Sequence, residues 1–156
     1  MSNVMNARDA VYGSLAECYI TIGNKRYNFM QLTEFESTYE PNISDVAILG
    51  QTNKGHKAAG GNGTWSATAH YNQSIMREIM YRYQTTGVMD YFDIQVSNED
   101  PSSAAGRQTI ILRDCLLDSV VLAKFAAGDE ILDEEISGTY ERFEMPEQFQ
   151  LLSGMN

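Results

Sequence analysis

Hydrophobic and polar residues alternate along most of the chain, which is the pattern of half-buried β-strands. The alternation is clearest from Thr64 to Tyr71, where Trp65 begins an apolar set at every second position. Gly23 and Asn24 separate two such runs and predict a β-hairpin. The predicted strands cover residues 17–21, 25–29, 35–41, 45–49, 64–71, 92–96, 109–112, 119–125 and 134–143, with a bulge near 114–115.

One segment has helical periodicity instead, and it predicts an α-helix over residues 73–86. Asn72 or Ser74 can cap its start, and Gly87 stands where a left-handed residue would end it. Its apolar stripe consists of Ile75, Met76, Ile79, Met80 and Tyr83. Strands with one helix predict a mainly β fold, an antiparallel β-sandwich or barrel flanked by that helix.

The chain has no internal repeat and no shift in composition, so we predict a single domain over residues 1–156. A chain of this length buries roughly two-thirds of the surface that it exposes when unfolded. Residues 1–14 are only weakly periodic, and we predict that they form an N-terminal arm with one helical turn.

A glycine-rich segment, GQTNKGHKAAGGNG, occupies residues 50–63 between two predicted strands. It carries no strand or helix signal, and connectors of this length are usually functional or disordered. We therefore predict a flexible loop that matters for function. Its candidate residues are Gly50, Lys54, Gly55, His56, Lys57, Gly60, Gly61 and Gly63.

The charge of the chain is strongly acidic, with 21 Asp and Glu against 11 Lys and Arg and a formal net charge of −10. That balance argues against a protein that binds the phosphate backbone. Carboxylates cluster near the C-terminus, and we name Asp133, Glu134, Glu135 and Glu141 as a candidate acidic face. This face either keeps the protein soluble or lines a path for an anionic molecule. No apolar run has transmembrane length and no signal-peptide pattern is present, which predicts synthesis in the cytoplasm without membrane insertion.

Candidate catalytic or cofactor chemistry is sparse. Gly50 and Gly55 have P-loop spacing, but His56 and Lys57 stand where the loop needs Lys and then Ser or Thr. His56 and His70 have no neighbour at metal-ligand spacing, and Cys18 and Cys115 are too far apart for a metal motif. We therefore predict no cofactor, no metal and no enzymatic activity, and two buried reduced thiols.

Several segments follow one another along the chain: Ala7-Arg8-Asp9 with Gly13 and Ala16-Glu17, then IGNKRYNF, GQTNKGHKAAGGNGTW, YFDIQVSNEDPSSAAGRQTIILRDC and LDEEISGTYERFEMPEQF. In this order and spacing they resemble the tail tube proteins of contractile-tailed phages and phage-like particles, in particular the PBSX-like family of Gram-positive bacteria. The resemblance runs from about residue 7 to 149.

The resemblance implies hexameric rings that stack into a hollow tube inside a contractile sheath. Each subunit would give four strands to a shared barrel of twenty-four, with a lumen that DNA or effectors pass without sticking. The glycine-rich loop would order against the next ring, and the arm residues Ala7, Arg8 and Asp9 would reach a neighbour. The implied partners are copies of the chain, the sheath, tape-measure, baseplate and tail terminator proteins, in a virion tail or phage-like particle assembled in the host cytoplasm.

Two other functions remain open from the sequence. One is the tube component of a contractile secretion system, which shares this architecture. The other is a monomeric β-barrel that binds a small molecule beneath the glycine-rich loop.

Overall fold

The computed structural model describes residues 4–128 and 130–155. Within them lie a 3₁₀ turn at Ala7–Asp9, an α-helix and eight β-strands. The mainly β prediction with one helix is confirmed. The strands are β1 (Ala16–Ile22), β2 (Lys25–Asn28), β3 (Leu32–Val46), β4 (Gly55–His70), β5 (Phe92–Glu99), β6 (Arg107–Ser119), β7 (Asp133–Tyr140) and β8 (Arg142–Glu147), and the helix is α1 (Ile75–Thr86).

The strands form one antiparallel path in the order β2-β1-β5-β6-β7-β4-β3, and β8 pairs with β6 outside that path. We call strands β2, β1, β5, β8 and the first part of β6 sheet I. The last part of β6, with β7, β4 and β3, is sheet II. Strand β6 therefore belongs to both sheets, and the two sheets enclose one core.

The crossing of β6 between the sheets depends on a bulge at Asp114, which has a left-handed φ of 55°. The register against β5 shifts here, since Phe92 pairs with Cys115 but Ile94 pairs with Leu112. The predicted bulge is confirmed, and it bends the single strand β6. We predicted two strands here, over residues 109–112 and 119–125, and the second prediction was wrong beyond Ser119.

The segment that pairs with β6 is also interrupted beside this bulge. The segment predicted as one strand over 134–143 is two strands, β7 and β8, separated by Glu141. The Glu141 amide donates to the carbonyl of Arg113 over 3.1 Å, which holds the two bends together.

The core lies between the sheets around Trp65. Its indole stacks on Phe35 at 6.2 Å between ring centroids and meets the edge of Phe92 at 6.0 Å. The indole Nε1 donates to the carbonyl of Thr139 over 3.3 Å, which satisfies its polar atom. Other buried side chains come from sheet I (Ile20, Ile94, Leu112), sheet II (Ala67, Ile136) and the helix (Met76, Ile79).

Helix α1 covers this core with Met76 and Ile79 from the predicted apolar stripe. Gly87 ends the helix at a φ of 75°, and its amide donates to the Tyr83 carbonyl over 2.8 Å, as predicted. Ser74 occupies the N-cap position, although its side chain makes no capping hydrogen bond. In the described part of the chain, no helix combines the length and the apolar character needed to cross a membrane.

Gly138 on β7 provides a test of the packing between the sheets. A Cβ at this position would overlap the carbonyl oxygen of Leu116 and come within 2.9 Å of the Trp65 indole. We expect Gly138→Ala to lower the free energy of unfolding by about 1–3 kcal/mol. Urea unfolding of the dilute protein measures it. Gly13→Ala is the control, because no atom lies within 4 Å of its added Cβ. Equal midpoints for the two variants would contradict the packing described.

Candidate assembly surfaces

The hairpin formed by β3 and β4 extends beyond the rest of sheet II. Strand β7 pairs with β4 only from Gly63 to His70, so residues 40–62 have no third strand beside them. The eight residues from 55 to 62 span roughly 25 Å at the usual rise of a strand. We call residues 40–62 the hairpin tip. Most of its side chains are exposed.

The predicted flexible loop over residues 50–63 is therefore wrong from Gly55 onward, where β4 begins. Only the turn over residues 47–54, which contains Gly50 and Lys54, lies outside the strands. Glycine makes room here for aromatic rings. A Cβ at Gly63 would overlap the ring of Tyr140, and a Cβ at Gly61 would overlap the Tyr39 side chain.

Gly60 forms a bulge in the same strand, with a φ of 82°. The register shifts beside it, between Pro41 paired with Gly61 and Ile43 paired with Ala58. Pro41 has no N–H to donate, and the ladder shifts at this point but continues. A proline is tolerated because β3 is an edge strand, so its missing N–H removes little from the sheet.

The hairpin tip carries cationic and apolar side chains. His56 Nδ1 lies 3.0 Å from an Asp45 carboxylate oxygen across the hairpin. Lys54 and Lys57 are exposed and make no ion pair with any residue that the structure describes. Ile43 and Leu49 are exposed beside them. The tip can therefore contact both an acidic and an apolar surface.

One face of sheet II is polar and acidic. Pairing aligns Glu34 with Thr68 and Thr68 with Glu135, and it aligns Glu36 with Ser66. On β3, β4 and β7, the strand positions of this face are Glu34, Glu36, Thr38, Thr64, Ser66, Thr68, His70, Asp133, Glu135, Ser137 and Thr139. None of these described positions is Lys or Arg, so the face has negative potential.

The predicted acidic face is only partly correct in its residues. Asp133 and Glu135 lie on this face, and His70 Nδ1 is 2.9 Å from an Asp133 carboxylate oxygen. Glu134 points the opposite way because successive strand residues alternate; it is 7% exposed and paired with Arg77 of α1. Glu141 lies in the turn between β7 and β8, so its place on such a face stays a prediction.

Sequence reasoning missed Glu34 and Glu36, which β3 adds to the acidic face. Their signal was present, since acidic residues flank Phe35 on both sides. Only the strand register shows that they adjoin Glu135 through β4.

The exposed face of sheet I is different, because most of its acidic groups are paired with arginines. Arg113 donates to Asp93 at 2.8 Å and to Glu144 at 3.1 Å. The hydrogen bond from Arg113 lowers the pKa of the Glu144 carboxyl. The other ion pairs join Arg107 to Glu99 and Glu147, and Arg142 to Asp114. The acidic face of sheet II lacks this neutralisation by arginine.

The described part of the N-terminal arm contacts its own chain. Ala7, Arg8 and Asp9 form the predicted helical turn. The Asp9 carboxylate accepts from the amide of Ala104 at 3.0 Å, and Tyr12 N donates to Asp100 at 3.0 Å. Contact with a neighbouring copy stays a prediction, and residues 1–3 of the arm lie outside the described residues.

The structure offers little for catalysis. Burial raises the pKa of both Cys18 and Cys115 to about 12, which leaves the thiols protonated and poorly nucleophilic. Strand β4 begins at Gly55 where a P-loop would need a helix, so helix amides for phosphate binding are missing at this point. In the described ranges, no group of three or more His, Cys, Asp or Glu could hold a metal ion.

Comparison with known proteins identifies the family. Residues 3–147 match the family described as "Phage tail tube protein". The chain belongs to this family. It is 37% identical over 114 residues to the phage-like element PBSX protein XkdM of Bacillus subtilis strain 168, which covers 73% of this chain and 78% of the relative. It is 38% identical to the uncharacterized protein YqbM of the same organism, over 74% of this chain and 79% of the relative. The tail tube resemblance, including its PBSX-like branch, is confirmed.

Solved structures show the same fold at low sequence identity. The cap of the anti-feeding prophage matches with a TM-score of 0.64 at 14% identity, over 91% of this chain and 94% of the other. A subunit in the sheath–tube complex of an extracellular contractile injection system matches at 0.62 and 13%, over 82% and 86%. The SPP1 tail tube matches at 0.61 and 7%, over 92% and 82%. By its family, this tail tube protein is a structural subunit.

Adjacent residues on β7 test which side of sheet II faces solvent. Glu134→Ala would leave the guanidinium of Arg77 buried without its carboxylate, and we expect a loss of about 3 kcal/mol in unfolding free energy. Glu135→Ala removes an exposed carboxylate, and we expect a change within about 0.5 kcal/mol. Urea unfolding of both variants measures the difference. A larger loss for Glu135→Ala would reverse the assignment of the faces.

Proposed function

We propose that this tail tube protein closes into rings of six copies, and that the rings stack into a hollow tube within a contractile sheath. The observation that carries this proposal is the pair of open edges on sheet II. Strand β3 forms one edge over fifteen residues, and the last part of β6 forms the other. An exposed edge this long invites pairing with another chain.

The strand directions allow the two edges to meet in a closed ring. Each pair in the order β6, β7, β4 and β3 is antiparallel, so the directions alternate across the sheet. The β6 edge of a second copy would therefore run antiparallel to β3. Four strands from each of six copies make a barrel whose backbone diameter is roughly 48 Å at ordinary strand spacing and tilt. Side chains reduce the diameter of the lumen to about 40 Å, wide enough for a DNA duplex.

The acidic face of sheet II would line this lumen. In a closed barrel, one face of the shared sheet points inward, and the core and sheet I cover the other face of sheet II. Carboxylates of Glu34, Glu36 and Glu135 would repel phosphate groups, so that DNA or an anionic effector passes without binding. The paired charges of sheet I would face outward, toward the sheath.

The hairpin tip would connect one ring to the next. It projects roughly 25 Å beyond the third strand of sheet II, and Lys54, His56 and Lys57 would meet acidic groups of the adjoining ring. The turn over residues 47–54 and the arm residues 7–9 would also contact neighbouring copies. Sheath, tape-measure, baseplate and terminator proteins would be its partners in a virion tail or phage-like particle assembled in the host cytoplasm, with no enzymatic role.

Assembly of the purified protein tests the proposal as a whole. We expect negative-stain microscopy of the concentrated protein to show hollow tubes, and the dilute protein to be folded subunits. A folded monomer at every concentration, with or without a baseplate extract as a nucleus, would overturn the proposal.

A related setting is the tube of a contractile secretion system. A type six secretion system protein shares the fold with a TM-score of 0.52 at 9% identity, over 83% of this chain and 82% of the other. Neighbouring genes for a tape measure and tail terminator would favour a phage particle, whereas genes for a membrane-anchored baseplate would favour secretion.

The lysines of the hairpin tip should control tube growth. We expect the double variant Lys54→Glu, Lys57→Glu to fold normally but to form tubes much more slowly, because both exposed charges would then repel an acidic ring surface. Light scattering follows the growth. Lys25→Glu, an exposed site at the start of β2, serves as the control. Normal growth of the double variant would exclude these lysines from the contact.

The charge of the lumen should keep DNA mobile. We expect tubes carrying Glu36→Lys to retain duplex DNA at low salt, since every subunit would add a cation to the lumen. Fluorescence anisotropy of labelled DNA measures retention, and Glu78→Lys on the exposed side of α1 is the control. Equal retention by both variants would show that Glu36 does not face the lumen.

A further inference from the structure

An exposed apolar segment follows β6 at one edge of sheet II. We call residues 120–128 the β6 extension. Phe125 is 93% exposed and Leu122 is 67% exposed, although both are large apolar side chains. The extension is held by side chains rather than by a strand, since Arg77 donates to the carbonyl of Val121 and Tyr71 to that of Leu122.

An open apolar groove lies beside the other edge of sheet II. It has a volume of about 950 Å³ and runs between β1 and β3, so we call it the β1–β3 groove. Cys18, Leu32, Phe35 and Val96 contribute its apolar wall. Met30 stands at its border and is 87% exposed. The groove is open, so the side chains of its apolar wall are only partly buried within the subunit.

The extension and the groove lie toward the same end of sheet II but on opposite edges. Ser119 pairs with Ser137, which aligns through Ser66 with Glu36. Strand β6 runs antiparallel to β7, and so it leads toward the end of the sheet where β3 begins at Leu32. When copies are joined edge to edge, the extension of one copy therefore comes toward the groove of the next.

Charge also matches between the two surfaces. The one charged side chain in the extension is Lys124, which lies between Leu122 and Phe125. Its Nζ donates to the Asp133 carbonyl of its own chain over 2.8 Å and keeps two further N–H donors. Glu17 is among the lining residues of the groove, and no Lys or Arg is among those described. A single cation carried on an apolar segment therefore fits an apolar groove with a carboxylate at its border.

We propose that the β6 extension of one copy fills the β1–β3 groove of the next copy in the ring. Leu122 and Phe125 bury against the apolar wall, and Lys124 pairs with Glu17. This inference rests on the proposed ring, and it adds the contact that seals each joint on the side away from the lumen.

Polar substitutions test the apolar part of the contact. The double variant Leu122→Ser, Phe125→Ser should fold like the wild type when dilute, because both side chains are exposed. We expect its critical concentration for tube formation to rise at least about tenfold, because burial of one large apolar side chain changes an association constant by that order. Tyr81→Ser, Val88→Ser is the matched control, since both side chains are exposed near the end of α1.

A charge exchange tests the pairing independently of fold. We expect Lys124→Glu to raise the critical concentration and a second substitution, Glu17→Lys, to restore it. Normal assembly of the Leu122→Ser, Phe125→Ser variant would overturn the inference, and failure of Glu17→Lys to restore assembly would overturn the pairing of Lys124 with Glu17. Wild-type tubes in that experiment would leave the proposed function standing, whereas the absence of wild-type tubes would overturn the proposed function itself.

Discussion

The unpaired edges of sheet II constrain everything else in this molecule. The edge strands of sheet I, β2 and β8, have only four and six residues, whereas the edge strand β3 of sheet II has fifteen. Sheet II ends at β3 on one side and at the last residues of β6 on the other. The subunit has a core because Trp65 and its neighbours bury the inner faces, while the backbone groups at the edges of sheet II are open to pairing with another chain.

The distribution of charge follows from the same architecture. The exposed face of sheet I pairs most of its carboxylates with Arg107, Arg113 and Arg142, whereas the exposed face of sheet II carries carboxylates without an arginine in the described strands. Part of the net charge of −10 is therefore unneutralised on one sheet face, which suits a passage for an anionic molecule.

Sequence patterns predicted the elements that depend on interactions between residues close together in the chain. The helical stripe ending at Gly87 and the hairpin at Gly23 were confirmed, as was the bend near Asp114. Strand pairing is non-local, and there the predictions failed. Gly61 and Gly63 indicated a loop because a glycine-rich segment resembles a linker, but the space that they leave is filled by Tyr39 and Tyr140 from strands on either side. No local pattern shows which ring will lie over which glycine.

The candidate surfaces were likewise predictable only where they depend on local alternation. Alternation along a strand should have shown that Glu134 and Glu135 point to opposite faces. Glu134 is then the buried partner of Arg77, and Glu135 belongs to the acidic face. The contribution of Glu34 and Glu36 required the register of three strands. Conversely, residues 120–125 have a strand-like sequence but no strand partner within the described subunit. A segment whose composition and structure disagree in this way is a natural place for an interaction between copies.

Hydrogen exchange at the two open edges tests the pairing of copies most directly. Exchange should be compared between dilute subunits and assembled tubes for residues 33–40 of β3 and residues 116–120 of β6, with residues 92–97 of the doubly paired strand β5 as an internal reference. We expect both edges to gain protection together in the tube while the reference stays unchanged. Tubes in which neither edge gains protection would contradict closure of sheet II between copies.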